Sequence, residues 1–168
     1  AGDLRGDGDF GAATLSSGSP GYGGFLLTLS PAGEPIVALG CTGEGSCRLR
    51  SVDIGEGDRM ALGGYFTGEV TLGEKKFKSR GKSDGFLATV DAQGSVSNLT
   101  RFGDTADDII RSVTIASDGT LIGGGYYSGT LRLGEETSQF KGSLDAMVVS
   151  ISPEGEINWL RTFGGPAG

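Results

Sequence analysis

Adding 61 to a residue number in the middle of this chain lands on the same residue, or the same kind of residue, again and again. Gly63, Gly64, Tyr65, Gly68, Leu72, Gly73 and Glu74 become Gly124, Gly125, Tyr126, Gly129, Leu133, Gly134 and Glu135. Asp84, Val90, Gly94, Phe102 and Gly103 become Asp145, Ile151, Gly155, Phe163 and Gly164, while Ser51, Val52 and Ile54 become Ser112, Val113 and Ile115. A fixed offset over so many positions is an internal repeat, and a repeat restricts the fold more than any local propensity does. A shorter copy precedes these two: Gly24, Phe25, Leu26, Thr28 and Gly33 match Gly85, Phe86, Leu87, Thr89 and Gly94 at the same offset. Gly6 and Gly11 match Gly68 and Gly73 with one residue dropped between.

Within the last copy four β-type runs follow one another: A over 112–116, B over 121–133, C over 146–151 and D over 157–163. The whole chain then reads BCD, ABCD, ABCD, with units 1–50, 51–111 and 112–168. The C runs, Phe86-Leu87-Ala88-Thr89-Val90 and Met147-Val148-Val149-Ser150-Ile151, are almost continuously apolar, which suits strands covered on both faces. Links from C to D, such as Ser30-Pro31-Ala32-Gly33 and Ser152-Pro153-Glu154-Gly155, are four-residue turns ending in glycine, as hairpins prefer. Glycine, 33 of 168 residues against 5 prolines, supplies such turns throughout. The expected fold is therefore all-β and β-propeller-like: four-stranded antiparallel blades repeating every 61 residues or so, two complete and one three-stranded. A first blade without strand A exposes an unpaired edge and an apolar side, so the chain is expected to belong to a larger propeller or to complete itself against other copies.

Charge and residue usage narrow the function. Lys plus Arg is 14 against 21 Asp plus Glu, a net charge of −7, which argues against nucleic acid or an anionic membrane as the main partner. Without histidine, Ser-His-Asp and Cys-His chemistry is excluded and the commonest zinc ligand is missing. No run reaches the roughly 18 apolar residues of a membrane helix. The chain opens Ala-Gly-Asp, which fits a processed chain or a piece of a longer one.

The string Gly-Gly-Tyr-Phe-Thr-Gly at 63–68 with Leu72-Gly73, then Ser83-Asp84-Gly85-Phe86-Leu87-Ala88-Thr89-Val90-Asp91-Ala92-Gln93-Gly94 and Arg101-Phe102-Gly103-Asp104, resembles the bacterial β-propeller repeat often called the SBBP repeat. Gly124-Gly125-Tyr126-Tyr127-Ser128-Gly129 and Asp145-Ala146-Met147 carry the likeness into the last copy. The resemblance implies a propeller from an exported or surface-anchored bacterial protein and implies no enzymatic activity. The 61-residue spacing exceeds the roughly 50 residues usual for that repeat and points to enlarged loops.

Those loops hold the candidate sites. The B-to-C link of the middle copy carries Lys75, Lys76, Lys78, Arg80 and Lys82 around Phe77, a basic stretch in an acidic chain. It reads as a partner-binding edge, and the plainer reading is a solvated hairpin whose lysines discourage aggregation. Phe140, in the corresponding loop, and Tyr22 are aromatics placed to touch a partner or a glycan, while Tyr65, Phe66, Tyr126, Tyr127 and Trp159 read as packing between blades. Asp104, Asp107 and Asp108 lie close enough together to suggest Ca²⁺, but they lack the alternating order of a calcium loop and do not recur in the other copies, so no metal or cofactor is expected. Cys41 and Cys47, the only cysteines, are expected to form a local disulfide, worth about 2 kcal/mol for so short a loop and typical of an oxidising compartment. An enzyme would need two carboxylates as acid and base. The sequence favours instead a non-catalytic interaction module, secreted or at the cell surface, meeting a protein partner or other copies of itself, with a lectin-like propeller as the alternative.

Overall fold

Glycine turns cut the chain into strands at the repeat's own period. In the turns after each C run, Gly33, Gly94 and Gly155 take φ of +85°, +88° and +95°, a region that suits glycine. Their N–H groups donate to the carbonyls of Ser30, Asp91 and Ser152 at 2.9, 3.0 and 2.9 Å. Asp91 Oδ1 accepts the N–H of Ser95, and Ser152 Oγ that of Glu156, so a side chain also closes each turn. A change to a β-branched residue at any of these glycines would force the turn open.

The computed structural model describes residues 1–18 and 21–166; Ser19, Pro20, Ala167 and Gly168, the last two closing the third unit, lie outside the described residues. In chain order the strands are β1 (Gly2–Leu4), β2 (Asp7–Asp9), β3 (Thr14–Ser16), β4 (Gly23–Leu29) and β5 (Pro35–Gly43). Then come β6 (Cys47–Ile54), β7 (Met60–Phe66), β8 (Glu69–Leu72), β9 (Lys75–Lys78), β10 (Asp84–Val90) and β11 (Val96–Phe102). The last six are β12 (Asp108–Ile115), β13 (Leu121–Tyr127), β14 (Thr130–Leu133), β15 (Glu136–Gln139), β16 (Asp145–Ile151) and β17 (Ile157–Phe163). Each of these six begins and ends 61 residues after its counterpart among β6 to β11.

The protein is all-β, with no α-helix among the described residues. Sheet II runs β6-β7-β10-β11 and sheet III β12-β13-β16-β17, both antiparallel throughout. Sheet I runs β1-β4-β5-β8-β9, where β8 and β9 come from the next copy. None of these sheets closes on itself. The short β1 pairs only with Gly23 to Phe25 and forms the sheet's free edge.

Two apolar layers hold the three sheets together. Leu26, Leu39 and Cys41 of sheet I meet Leu49, Leu62, Phe66 and Phe86 of sheet II. Leu87 and Phe102 of sheet II meet Ile110, Leu121, Met147 and Val149 of sheet III. Each fully buried large side chain contributes about 1.5–3 kcal/mol, so these layers are the main stabilising term.

Three details differ from the sequence reading. Run B is two strands, broken at Ser128-Gly129, where Gly129 takes φ +69°. The inner strands start at Cys47 and Asp108, four residues before Ser51 and Ser112, and each carries a bulge, at Arg50 and Arg111. The long B-to-C links are hairpins, β2-β3, β8-β9 and β14-β15, which are ordered strands and do not project as loops. β8 pairs with the outer strand β5 of the preceding sheet, Cys41 opposite Leu72, and the Gly103 N–H donates to the Arg132 carbonyl at 2.9 Å in the equivalent place. Each later hairpin thus lies in the seam between one sheet and the next.

Candidate functional site

The basic hairpin is shaped by its two faces. Phe77 turns inward, edge-on to Phe66 at 4.4 Å between ring centroids and 5.7 Å from Phe86, so its hydrophobic area is spent on the core. Lys75, Lys76 and Lys78 of β9, with Arg80 and Lys82 after it, are exposed, Lys76 and Lys78 on the side of the strand away from Phe77. β9 is the last strand of sheet I, so its outer hydrogen-bonding edge is unpaired among the described strands. Lys76 pairs with Glu69 at 2.6 Å, which raises its pKa, and Arg80 donates to the Gly103 carbonyl at 3.2 Å. Of the predicted partner-binding residues, Lys75, Lys78 and Lys82 are exposed, Lys75 and Lys78 at opposite ends of β9. Phe140, one period after Ser79 and just past the β14-β15 hairpin, is exposed.

The hairpin does not stand on the end of the sheets. Its tip at Gly73 sits beside Val96, where a Cβ would come within 3.0 Å, and Gly134 sits equally against Ile157 at 3.2 Å. Lys75 therefore lies along the side of the molecule, while Arg80 and Lys82 flank Gly81, which packs on Asp104 and Thr105 in the connection from β11 to β12.

The two seams are locked differently. Cys41 near the end of β5 and Cys47 at the start of β6 form the expected disulfide, their Cα atoms 5.8 Å apart and both residues fully buried. One period later the same two positions hold Phe102 and Asp108. Asp108 is fully buried, and so is Asp84 at the start of β10. A Cβ on Gly103 would lie 2.9 Å from Asp108 Oδ2 and 3.0 Å from Asp84 Oδ1, so one point touches both carboxyls. Each has one satisfied oxygen: Asp84 Oδ2 accepts the Arg80 N–H at 3.1 Å, and Asp108 Oδ2 the Asp104 N–H at 3.2 Å. The other oxygen of each is buried without a hydrogen-bond partner.

Burial pushes the Asp108 carboxyl up to about 7, and the neighbouring Asp84, Asp107 and Asp104 add to the effect against the pull of the Asp104 N–H. Asp84 is raised too, mainly by burial, with the Arg80 N–H and the Arg101 guanidinium opposing. Both groups hold a proton in the folded protein at pH values where the unfolded chain, with an ordinary carboxyl near 3.8, has lost it. The Asp108 contribution is present below the unfolded value and is lost as pH rises through about 7, and that of Asp84 changes in the same direction. Urea denaturation should show the midpoint rising as the buffer is taken from about pH 8 to about pH 5, and Asp108→Asn should flatten that slope and stabilise the protein at the alkaline end. A flat wild-type profile would contradict this account of the seam.

Asp104, Asp107 and Asp108 do not converge. Asp104 faces Arg132 at 3.9 Å, Asp107 accepts the Ser83 hydroxyl at 2.5 Å, and Asp108 turns into the seam. Among the described residues no group of three or more His, Cys, Asp or Glu is placed to hold a metal ion. The Asp84 and Asp108 pair was not singled out from the sequence, because its members are 24 positions apart and meet only when sheets II and III pack. Closed to solvent, it offers no route for a substrate.

Neither a family model nor a curated protein matches this chain.

The aromatic residues are mostly occupied. Arg48 lies over the Tyr22 ring at 3.7 Å, and the bulged Arg50 and Arg111 donate to the hydroxyls of Tyr65 and Tyr126, each at 3.1 Å. Asp3 of β1 pairs with Arg48 and Arg50 at 3.2 and 3.4 Å. These contacts tie inner strands to their neighbours and leave few aromatic faces open for stacking on a sugar.

Proposed function

We propose that the chain is a non-catalytic interaction module, a run of β-propeller blades from an exported or surface protein of the bacterial kind its repeat resembles. The radial arrangement is supported by three sheets of one repeat packed face to face in sequence order. Export is supported by the buried disulfide, which persists in oxidising compartments. Among the described residues no helix is long and apolar enough to cross a membrane.

The observation that carries the reading is the β9 edge, the last strand of sheet I, with no described strand on its outer side and exposed lysines along it on a chain of net charge −7. An acidic extended segment of a partner protein would find both a backbone ladder and opposite charge there. The triple variant Lys75→Glu, Lys78→Glu, Lys82→Glu should melt within a few degrees of wild type, since exposed lysines contribute little to stability. It should lose the low-salt retention on immobilised polyglutamate that the wild type shows. Wild-type protein that ignores polyglutamate would end the reading. A carbohydrate-binding role has less behind it, because Tyr22, Tyr65 and Tyr126 are engaged by arginines and Phe140 stands alone.

A further inference from the structure

The inner strands β6 and β12 each carry an arginine on their bulge, Arg50 and Arg111, one period apart. A bulge takes its extra residue out of the ladder and re-aims the side chain. In both sheets the guanidinium comes to rest over the tyrosine of the neighbouring strand, 5.3 Å from the ring centroids of Tyr65 and Tyr126. Its Nη2 donates to that tyrosine's hydroxyl at 3.1 Å. The same arginine and tyrosine pair is thus built twice, and only its surroundings differ.

The charge of Arg50 is answered within the chain. Its Nη1 lies 3.4 Å from Oδ2 of Asp3 in the preceding sheet, an oxygen that also takes Arg48 at 3.2 Å. Asp3 pairs with Gly24 in sheet I, and Tyr65 pairs with Gly85, one period on, so in sheet II a tyrosine fills the place of that carboxylate. Ile109 stands where Arg48 would recur. Arg111 accordingly forms no ion pair among the described residues, and its Nη1 and Nε have no hydrogen-bond partner there. It is exposed, whereas Arg50 is half-buried. The contrast in partners is set by the preceding sheet, Asp3 against Tyr65, and holds whatever follows sheet III.

We infer that Arg111 is the seat of a small carboxylate ligand, which supplies there the charge that Asp3 supplies to Arg50. A guanidinium presents its N–H groups in a planar fork that matches the two oxygens of a carboxylate, and the bond from Nη2 to Tyr126 holds that fork in place. The bulge interrupts the regular spacing of β12 at this point, so an extended peptide finds no continuous ladder and the ligand is a compact acid. Plain organic acids and sugar acids share the recognised group. The seat uses none of the β9 lysines, so its fate in experiment is independent of the polyglutamate test.

Isotope-labelled wild-type protein titrated at constant ionic strength with succinate, and separately with glucuronate, should show a saturable movement of the Arg111 Nε–Hε signal. Whichever acid saturates it at lower concentration names the source, and glucose, which lacks the carboxylate, should leave the signal in place. Arg111→Lys keeps the charge but loses the fork, and should weaken binding about tenfold or more, followed on the Ser112 amide. Tyr126→Phe releases the guanidinium and should weaken binding roughly threefold. Asp3→Ala should open a second seat, read as an Arg50 signal that now moves with the acid, once circular dichroism confirms that the variant is folded. The triple variant of Lys75, Lys78 and Lys82 should bind the acid as the wild type does. No saturable movement with either acid, an equal response to glucose, or Arg111→Lys binding like wild type would each overturn the inference. So would a folded Asp3→Ala protein whose Arg50 ignores the acid, or loss of binding in the triple variant.

Discussion

Replacing Gly64 by alanine should be among the most damaging single-methyl changes in the protein, while the same replacement one position and one period away, at Gly124, should cost next to nothing. A Cβ on Gly64 would sit 2.0 Å from the Arg48 carbonyl oxygen and 3.2 Å from Phe86. Gly125, its counterpart, faces the Ile109 carbonyl at 1.9 Å. In both sheets this is where the bulge at Arg50 or Arg111 presses the inner strand towards its neighbour. The obstacle is backbone held by ladder hydrogen bonds on both sides of the bulge, so it cannot swing aside as a side chain would. Overpacking against such a target should cost roughly 3 kcal/mol or more, for Gly64→Ala and for Gly125→Ala alike. At Gly124 the new methyl meets nothing within 4 Å, and the lower entropy of the unfolded chain should leave Gly124→Ala within about 1 kcal/mol of wild type. Chemical denaturation of the three variants decides the matter, and a Gly64→Ala protein as stable as Gly124→Ala would show that the bulges yield.

Truncating Phe66 to alanine should cost a comparable amount by the opposite route. Phe66 is fully buried, edge-on to Phe77 at 4.4 Å and 6.2 Å from Phe86. Removing the ring leaves a cavity in the layer between sheets I and II and strands Phe77, the apolar residue by which β9 joins Val70 and Leu72 of β8 in that layer. Large-to-small changes of this kind cost about 3–5 kcal/mol, which for a chain of this length lowers the melting temperature by roughly 10 °C. Proteolysis should then cut the hairpin near Lys75 to Lys82 sooner than the rest of the protein, because the only apolar side chain of β9, Phe77, has lost its nearest ring. A melting temperature within two or so degrees of wild type would mean that the layer closes over the gap.

What the sequence made legible was whatever the repeat stamps into every copy. The period, the glycine turns at 33, 94 and 155, the buried C strands and the disulfide all follow from matched positions or from a lone pair of cysteines. The basic link was legible as a hairpin with edge lysines, but β9 and β15 were not legible as core-covering strands, because they read Lys-Lys-Phe-Lys and Glu-Thr-Ser-Gln, without the strict alternation that marks a half-buried strand. β8 pairs with β5, a strand of a different copy, and no local pattern announces that. The inner strands were begun too late because Asp107-Asp108 looks like a solvated loop. Asp108 is instead carried into the seam by a strand that starts at that very residue. Asp84 and Asp145 were visible as matched positions, but their use was hidden. Each folds its carboxylate back to an N–H four residues earlier, Arg80 at 3.1 Å and Lys141 at 2.6 Å, closing the approach to strand C.

The hairpin of the middle copy completes the sheet of the copy before it, so the unit written in the sequence and the unit that packs are out of step. A cut or a splice made at a repeat boundary would leave one sheet without its last two strands and deliver a hairpin to a neighbour it was not fitted to. Exchange of repeats between such proteins would therefore be tolerated only when the hairpin and the outer strand that receives it, Leu72 opposite Cys41 in this chain, travel together.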